Sequence, residues 1–576
     1  MNYKLVGSGD YKHPLQTLLQ NRGVKEIQNY INLDDRCIHN YSELGDIENI
    51  ANLAYKEWTT NKCRIHIVVD SDVDGFTSAA IMYKYLKNMG ITPTYSLHTG
   101  KQHGLTNDIE FPDDVQWLII PDAGTNDAEQ CKSFYEKGVK ILILDHHEKE
   151  IENPYAYIIN NQMCDYPNKN FSGVGIVYKF LQALDEVGWN EEADDYLDLV
   201  ALGNISDCMD IREPETKCLI EKGLHNIKNR FFEKLIESQS YSIPDGLNII
   251  SVQFCITPLV NALIRVGTQK EKDVVFRAFI EDESETFLYK KRGETESVRE
   301  SIYDTAVRIC KNAKSRQGRM ADKQIPIVCE HIKSKKQDKS NVIISNVTGL
   351  LDSVLTGVVA IKIAEKYSKP CILLRKRNDK DGIFGGSVRV PNNSPIFNFK
   401  DIVNEIGVFK MAQGHQSAFG VEILGSNVKK SISLLDNYII KHNLIGAVVS
   451  YVDFVINYDV FNIGIFNDIA SLKPYYGNSI EECKVVIKDI PVTSDGIMIQ
   501  GKESNSWCIM ICDESIKLVK FKCSEDDYIL NFGKENESGL TDIISYINVI
   551  GKLSYNYYKG IKTAQIIVDE YEVTTC

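Results

Sequence analysis

Hydrophobic positions in residues 1–60 fall at mixed helical spacing, which predicts a short helical lead-in without recognisable chemistry. From residue 62 the texture changes to apolar runs separated by helical periods. CRIHIVV (63–69) is β-branched and predicts a strand, and FTSAAIMYKYLKNMG (76–90) has helical periodicity closed by Gly90, a suitable C-cap. The cycle repeats with VQWLII (115–120), AEQCKSFYEKG (128–138) and VKILIL (139–144). Strands that are apolar throughout are buried on both faces, so the pattern predicts an α/β fold with a parallel sheet covered by helices. Charged, helix-prone sequence over 268–320 predicts a connector, and a second α/β region follows with NVIIS (341–345), LDSVLTGVVAIKIAEKY (351–367) and PCILL (370–374). Beyond about 446 the short runs CKVVIKDI, GIMIQG, WCIMIC and KLVKFKC predict a small all-β module. The expected division is therefore 1–60, 61–267, 268–320, 321–445 and 446–576.

A chain of 576 residues is too long for one ordinary core, in keeping with several domains. With 43% hydrophobic and 25% charged residues the composition is that of a globular protein. The net charge of −14 excludes a generally basic nucleic-acid coat, but a carboxylate-rich metal centre can coexist with a local basic groove. The 15 cysteines are scattered with no CxxC pair, which reads as reduced thiols in a cytoplasmic protein. No uninterrupted apolar run approaches the roughly 20 residues of a membrane helix, and MNYKLVGSGDYKHPLQ lacks a secretory pattern.

The acids fall at the ends of the predicted strands. The first strand runs into Asp70-Ser71-Asp72-Val73-Asp74-Gly75, the second into Pro121-Asp122-Ala123-Gly124, and the third into Asp145-His146-His147-Glu148. Sites in parallel α/β sheets form beyond the carboxyl ends of strands, so three loops deliver carboxylates and imidazoles to one rim. Helix caps account for one acid per loop, not for three alternating acids and a His pair. So many like charges raise one another's pKa unless cations neutralise them. Mixed carboxylate and imidazole ligands without cysteine suit Mn²⁺ or Mg²⁺ rather than structural zinc. Asp207, where the apolar stretch VALGNIS ends, is by itself an even choice between cap and ligand.

DSDVDG, PDAG, LDHHE and ALGNISD, in this order, resemble the four signature motifs of the DHH phosphoesterase superfamily. FSGVGIVYKFL (171–181) and Pro258, Asn261, Ala262 and Arg265 of FCITPLVNALIRVG (254–267) narrow the resemblance to RecJ-type single-strand exonucleases. GGSVRV (385–390) and GHQSAFG (414–420) resemble the glycine-rich motifs of the DHH-associated domain, and 547–572 resembles the closing strands of the RecJ oligonucleotide-binding (OB-like) barrel. Two positions depart from the family pattern: Gln413 replaces the first of two glycines before the histidine, and Ser71 replaces an aromatic residue.

The resemblance implies a two-metal 5′-to-3′ exonuclease on single-stranded DNA, acting in repair, recombination or replication. It implies a monomer working beside a helicase or single-strand-binding protein. By position, Asp72, Asp74, Asp122, His146 and Asp207 are expected to ligate two Mn²⁺ or Mg²⁺ ions, with Asp122 between them and Asp70 and Asp145 as ligands or orienting groups. His147 is expected at the scissile phosphate or leaving oxygen. His66 lies two residues out of the register in which some members carry a ligand histidine, here Val68, and is expected to be structural. Gly386, Ser387, Arg389, Gly414 and His415 are expected to grip substrate, although the plain reading of Gly385-Gly386 is a strand bulge. Tyr555, Tyr557, Tyr558, Lys559 and Lys562 are candidates for strand contact, and tyrosines in β-rich sequence more often serve packing. Two alternatives stay open: a phosphodiesterase for short oligoribonucleotides or small nucleotides, and a non-catalytic single-strand-binding scaffold.

Overall fold

The computed structural model describes residues 1–576 except 62, 101, 107, 108, 110, 245, 291, 292, 378, 379, 392, 393, 397, 445–448, 525, 538–544, 559 and 576. The side chains of 61, 415, 533–537 and 575 also lie outside the described residues, so Lys559 and the His415 ring are not placed.

The chain opens with β1 (Tyr3–Leu5) and then helices, of which Ile47–Asn61 buries Ile47, Ile50, Ala51, Ala54 and Trp58 in the main core. The first sheet follows: β2 (Ile65–Val69), β3 (Thr94–Leu97), β4 (Trp117–Pro121), β5 (Lys140–Asp145) and β6 (Tyr157–Asn160). All its pairings are parallel, in the order β3-β2-β4-β5-β6. Side chains alternate faces along a strand. Ile65, Ile67, Val69, Trp117, Ile119, Leu142 and Leu144 enter the main core, whereas Val68, Leu118, Ile120, Ile141 and Ile143 enter a second cluster containing Cys131. Both faces are covered, which is why these strands carry no polar alternation.

The helices Val73–Asn88, Ala128–Tyr135, Gly173–Gly188 and Leu197–Ser206 belong to this unit. Ile249–Val266 forms a continuous 18-residue helical stretch that is long and apolar enough to cross a membrane by length and composition alone. Of that stretch 56% is buried, and its Asn261 and Arg265 line the cleft described below.

Connector helix Gln269–Phe279 starts at a capping box in which Thr268 and Glu271 bond reciprocally. A hairpin of β7 (Phe287–Tyr289) and β8 (Val298–Glu300) interrupts the expected all-helical stretch. The next helix, Ile302–Ser334, runs for 33 residues, past residue 320 where its sequence pattern fades. β9 (Ile343–Asn346), the helix Thr356–Tyr367, β10 (Cys371–Lys376), β11 (Ile383–Arg389), β12 (Phe409–His415) and β13 (Ala418–Leu424) build a second sheet. Its order is β12-β13-β11-β10-β9, parallel only between β9 and β10.

The C-terminal region begins with β14 (Ser450–Val452), which pairs in parallel with β1, Tyr3 opposite Ser450. Arg22 reinforces this junction with paired bonds to Asp453, 2.7 and 3.1 Å long, the carboxylate being buried. The lead-in is thus part of the C-terminal region's packing, which its own sequence does not reveal. β15 (Phe454–Asn457), β16 (Val485–Val492), β17 (Ile497–Gln500), β18 (Ser506–Ile511), β19 (Ile516–Lys520), β20 (Ser545–Tyr558) and β21 (Ile561–Thr575) form one mixed seven-stranded sheet, ordered β15-β16-β20-β21-β19-β18-β17. The expected OB-like barrel is therefore not what the ladder shows. Among the described residues β15 and β17 remain unpaired edges of an open sheet.

Candidate metal centre and phosphate cleft

Three loops at the carboxyl ends of β2, β4 and β5 converge with the end of the helix Leu197–Ser206. Asp72 caps the helix Val73–Asn88, its carboxylate accepting from the Gly75 N–H at 2.9 Å. The cap reading and the site reading of Asp72 are both satisfied, because it also lines the cleft with Asp74 and Asp207. Asp74 is buried and accepts from Gly173 N–H (2.7 Å) and Val174 N–H (3.1 Å), the first amides of the helix Gly173–Gly188. That helix start stabilises negative charge. Asp122 adopts the left-handed φ of +67° as its N–H donates to Leu144 O at 2.8 Å. A non-glycine residue in this region is uncommon, and such conformations concentrate at functional sites.

His146 Nε2 lies 3.3 Å from Asp122 Oδ1 and 3.5 Å from Asp207 Oδ2. Asp74, His146 and Asp207 each offer a ligand atom within 4.8 Å of the others, as do Asp122, Asp145, His146 and His147. Asp122 Oδ1 and His146 Nε2 are buried without a hydrogen-bond partner. Buried polar atoms are nearly always satisfied, so two orphans facing each other amid carboxylates match the donor set of a divalent cation. Burial, then the negative charge of Asp72, pushes Asp74 up to about 6. Burial and the charges of Asp74 and Asp72 likewise raise Asp122 and Asp207 well above the usual carboxylate range. Burial, then the neighbouring His147, drops His146 to about 4, the neutral form a metal requires.

Asp145 does a different job. Its Oδ1 accepts from the His146 and His147 amides and stands 2.7 Å from His147 Nδ1, while Oδ2 accepts from Thr125 N–H at 3.0 Å. Burial opposes the ionised carboxylate, yet the His147 bond and charge hold Asp145 well below its ordinary value. Burial also opposes charge on His147, but the Asp145 hydrogen bond and charge raise it to about 10. Asp145 thus fixes the His147 ring and favours its charged form.

His66 is buried, with Nδ1 2.8 Å from Thr94 Oγ1 and Nε2 2.7 Å from Ser96 Oγ, so both ring nitrogens are engaged within the sheet. It is structural, as its register implies. His103 carried no sequence signal, since it sits in an aperiodic loop, yet its Nδ1 lies 2.5 Å from Asp70 Oδ2.

A cleft of about 230 Å³ beside the acids is lined by Ser71, Asp72, Val73, Asp74, Ser206, Asp207, Asn261 and Arg265. Arg389 reaches the same region from β11. Burial and then the nearby Arg265 charge lower Arg389 to about 10, and burial lowers Arg265 against the pull of Asp72. Burial and the Arg265 charge also lower Lys314. Converging cations that depress one another suit a bound polyanion. A Cβ on Gly357, at the start of the helix Thr356–Tyr367, would stand 2.8 Å from Arg389 Nη2 and 3.8 Å from Ser387 Oγ. At Gly386 a Cβ would meet Leu373 O at 2.5 Å, and the β10–β11 register is continuous, so no bulge occurs. Gly414, at φ +123°, turns tightly against Phe419. Gln413, the departure from the family pattern, hydrogen-bonds to Glu150 in the loop after β5. In the C-terminal sheet, Lys562 Nζ sits 3.7 Å from the Tyr555 ring centroid.

The profile of the DHH family, N-terminal domain, matches residues 64–204. The chain is 36% identical over 580 residues to YorK of Bacillus subtilis strain 168, a prophage-derived protein named for a single-strand-DNA-specific exonuclease, covering 100% of this chain and 98% of that one. The chain belongs to the DHH phosphoesterase superfamily, among its RecJ-type members. RecJ of Bacillus subtilis is 24% identical over 538 residues, spanning 90% of this chain and 62% of its own. The crystal structure of Thermus thermophilus RecJ with Mn²⁺ matches with a TM-score of 0.68 at 16% identity, over 99% of this chain and 78% of that one. The RecJ-type fold thus extends well beyond the DHH motifs.

Proposed function

We propose that the protein is a divalent-metal-dependent exonuclease that hydrolyses single-stranded DNA from the 5′ end. The carrying observation is the orphaned, buried Asp122 Oδ1–His146 Nε2 pair, 3.3 Å apart, inside a ring of carboxylates with raised pKa. Asp72, Asp74, Asp122, His146 and Asp207, with Asp70, would hold two Mn²⁺ or Mg²⁺ ions. Ions bound there neutralise the acids and supply Lewis acidity for phosphodiester hydrolysis.

The chain's own groups do the rest. Arg265, from the helical stretch Ile249–Val266, and Arg389, from β11, donate N–H groups to a phosphate, and Ser387 adds a hydroxyl. His147, charged and held by Asp145, donates its remaining N–H toward the leaving oxygen. The Tyr555–Lys562 surface of β20 and β21 offers stacking and charge to an unpaired strand. Single-stranded DNA as substrate is supported by the names of the relatives, and the 5′ polarity, cytoplasmic repair or recombination context and helicase or single-strand-binding partners by the RecJ resemblance.

Incubation with Mn²⁺ and 5′- or 3′-labelled single-stranded DNA, duplex DNA and short RNA tests the reading. Single-stranded DNA should be degraded from its 5′ end, with EDTA and Asp122→Ala abolishing the reaction. Preferential hydrolysis of short RNA moves the assignment to an oligoribonucleotide phosphodiesterase. No hydrolysis with Mn²⁺ saturating overturns it.

A further inference from the structure

We propose that Phe254 is a base-stacking residue beside the cleft, its ring meeting the face of one base of the substrate strand. The inference rests on the single-strand reading above and adds a contact to the bases, where the acids and arginines address only metal and phosphate. Phe254 sits in a short π-helical turn, Val252–Ile256, within the helical stretch Ile249–Val266. Val252 and Ile256 on either side are buried, whereas Phe254 is 66% exposed. Single π turns inside α-helices recur at functional sites. The same stretch carries Asn261 and Arg265, which line the cleft. Steps of three and four residues return to one side of a helix, so Phe254, Pro258, Asn261 and Arg265 form one row. The start of that row is tied to the acidic rim: Gln253 Nε2 donates to Cys208 Sγ at 3.6 Å, and Cys208 directly follows Asp207.

Exposed apolar residues scattered singly over a surface call for no explanation. Phe254 is set apart by the row it heads, which leads from its ring to a residue taken above to hold phosphate. At 1.5 Å of rise per residue, the helix from Phe254 to Arg265 covers roughly 16 Å. The base at Phe254 is therefore not that of the nucleotide whose phosphate Arg265 binds, but one a few nucleotides along the strand. Every base has a π face, so an aromatic ring on this path binds any sequence. Bases inside a duplex are stacked on their own neighbours, so Phe254 favours an unpaired strand over a paired one. A dinucleotide is too short to reach both Arg265 and Phe254.

The test compares wild type, Phe254→Ala and Phe254→Leu as full chains, with a circular dichroism melt of each. Fluorescence anisotropy reads binding of a labelled twelve-nucleotide DNA strand, of the same strand with one abasic position moved along it, and of a dinucleotide. Mn²⁺-dependent hydrolysis of each is measured in parallel. Phe254→Ala should bind the long strand weaker by on the order of 5–150-fold, with a matching rise in KM, and should bind the dinucleotide as wild type does. Leucine keeps apolar bulk without a π face, so Phe254→Leu should resemble the alanine variant. Wild type should lose affinity at one abasic position, and that position should cost Phe254→Ala nothing further. A folded Phe254→Ala protein that binds the long strand within twofold of wild type overturns the assignment, as does an equal loss on the dinucleotide or full affinity in Phe254→Leu. Binding that depends on Phe254 without hydrolysis by wild type overturns the exonuclease reading and leaves the stacking role standing. Failure of wild type to bind the strand at all overturns both.

Discussion

Gly173→Ala should disable the metal centre without removing any ligand. Gly173 is the first residue of its helix, and its N–H donates to Asp74 at 2.7 Å. A Cβ at this position would stand 2.4 Å from Asp122 Oδ1, 2.5 Å from its Cβ and 2.6 Å from its Cα. The last of these is backbone, so no rotamer change relieves the clash; in a close-packed interior the two segments must part by roughly 0.5–1 Å. Overpacking of this size costs about 1–3 kcal/mol, against which alanine returns up to about 1 kcal/mol of helix propensity. Net stability should therefore fall by about 0–3 kcal/mol. Displacement of Asp122 relative to His146 by most of an ångström should lower the rate by about 100-fold, equivalent to about 2.7 kcal/mol of barrier. Initial rates on labelled single-stranded DNA, Mn²⁺ calorimetry and melts with EDTA or Mn²⁺ read these effects separately. The expected result is a folded protein with weak Mn²⁺ binding and little metal-induced rise in Tm. Wild-type rate together with wild-type Mn²⁺ affinity would refute the geometry.

Arg389→Ala and Arg265→Ala should each weaken single-strand binding by about 1.5–3 kcal/mol and make its salt dependence shallower, leaving Mn²⁺ content unchanged; loss of metal from either purified variant would count against the division of roles. Burial holds His66 at about 4, below its ordinary 6.5, so the unfolded chain takes up a proton that the folded chain refuses. Its contribution is complete above pH 6.5 and is lost as pH falls toward 4. Wild type should thus lose about 2 kcal/mol more than His66→Gln between pH 7 and 5 in urea melts, and parallel curves would contradict this. Gly318→Ala, inside the helix Ile302–Ser334 with nothing within 4 Å of the new Cβ, should stabilise the protein by about 1 kcal/mol, a gain that thermal melts would detect.

The first sheet and its acidic rim were legible in the sequence because period and chemistry coincide there: unbroken apolar runs end at Asp70, Pro121 and Asp145. What the sequence hid depends on distance in the chain. His103 meets Asp70 across a loop with no period. Lys179, inside the apolar helix Gly173–Gly188, is fully buried against Glu215 at 2.7 Å, and only the fold supplies that partner. The β20 and β21 ladder is long, with a register shift at Ile550/Gly551, and alternation along a strand does not encode whether a sheet closes on itself. Gly386, expected at the substrate, meets a further demand that only the fold supplies: a side chain there would collide with the Leu373 carbonyl.

The pairing of Tyr3–Leu5 with Ser450–Val452 has a consequence in time. A ribosome adding about 5–20 residues each second finishes the partner strand roughly 20–90 s after the first one has emerged. Through that interval Tyr3–Leu5 lacks its partner strand while the sheets downstream of it assemble. A strand made before either α/β sheet is thus among the last to dock, and Arg22 waits with it for Asp453. A nascent chain halted before residue 450 would carry a complete acidic rim and an unpaired Tyr3–Leu5 segment, open to proteolysis until synthesis resumes.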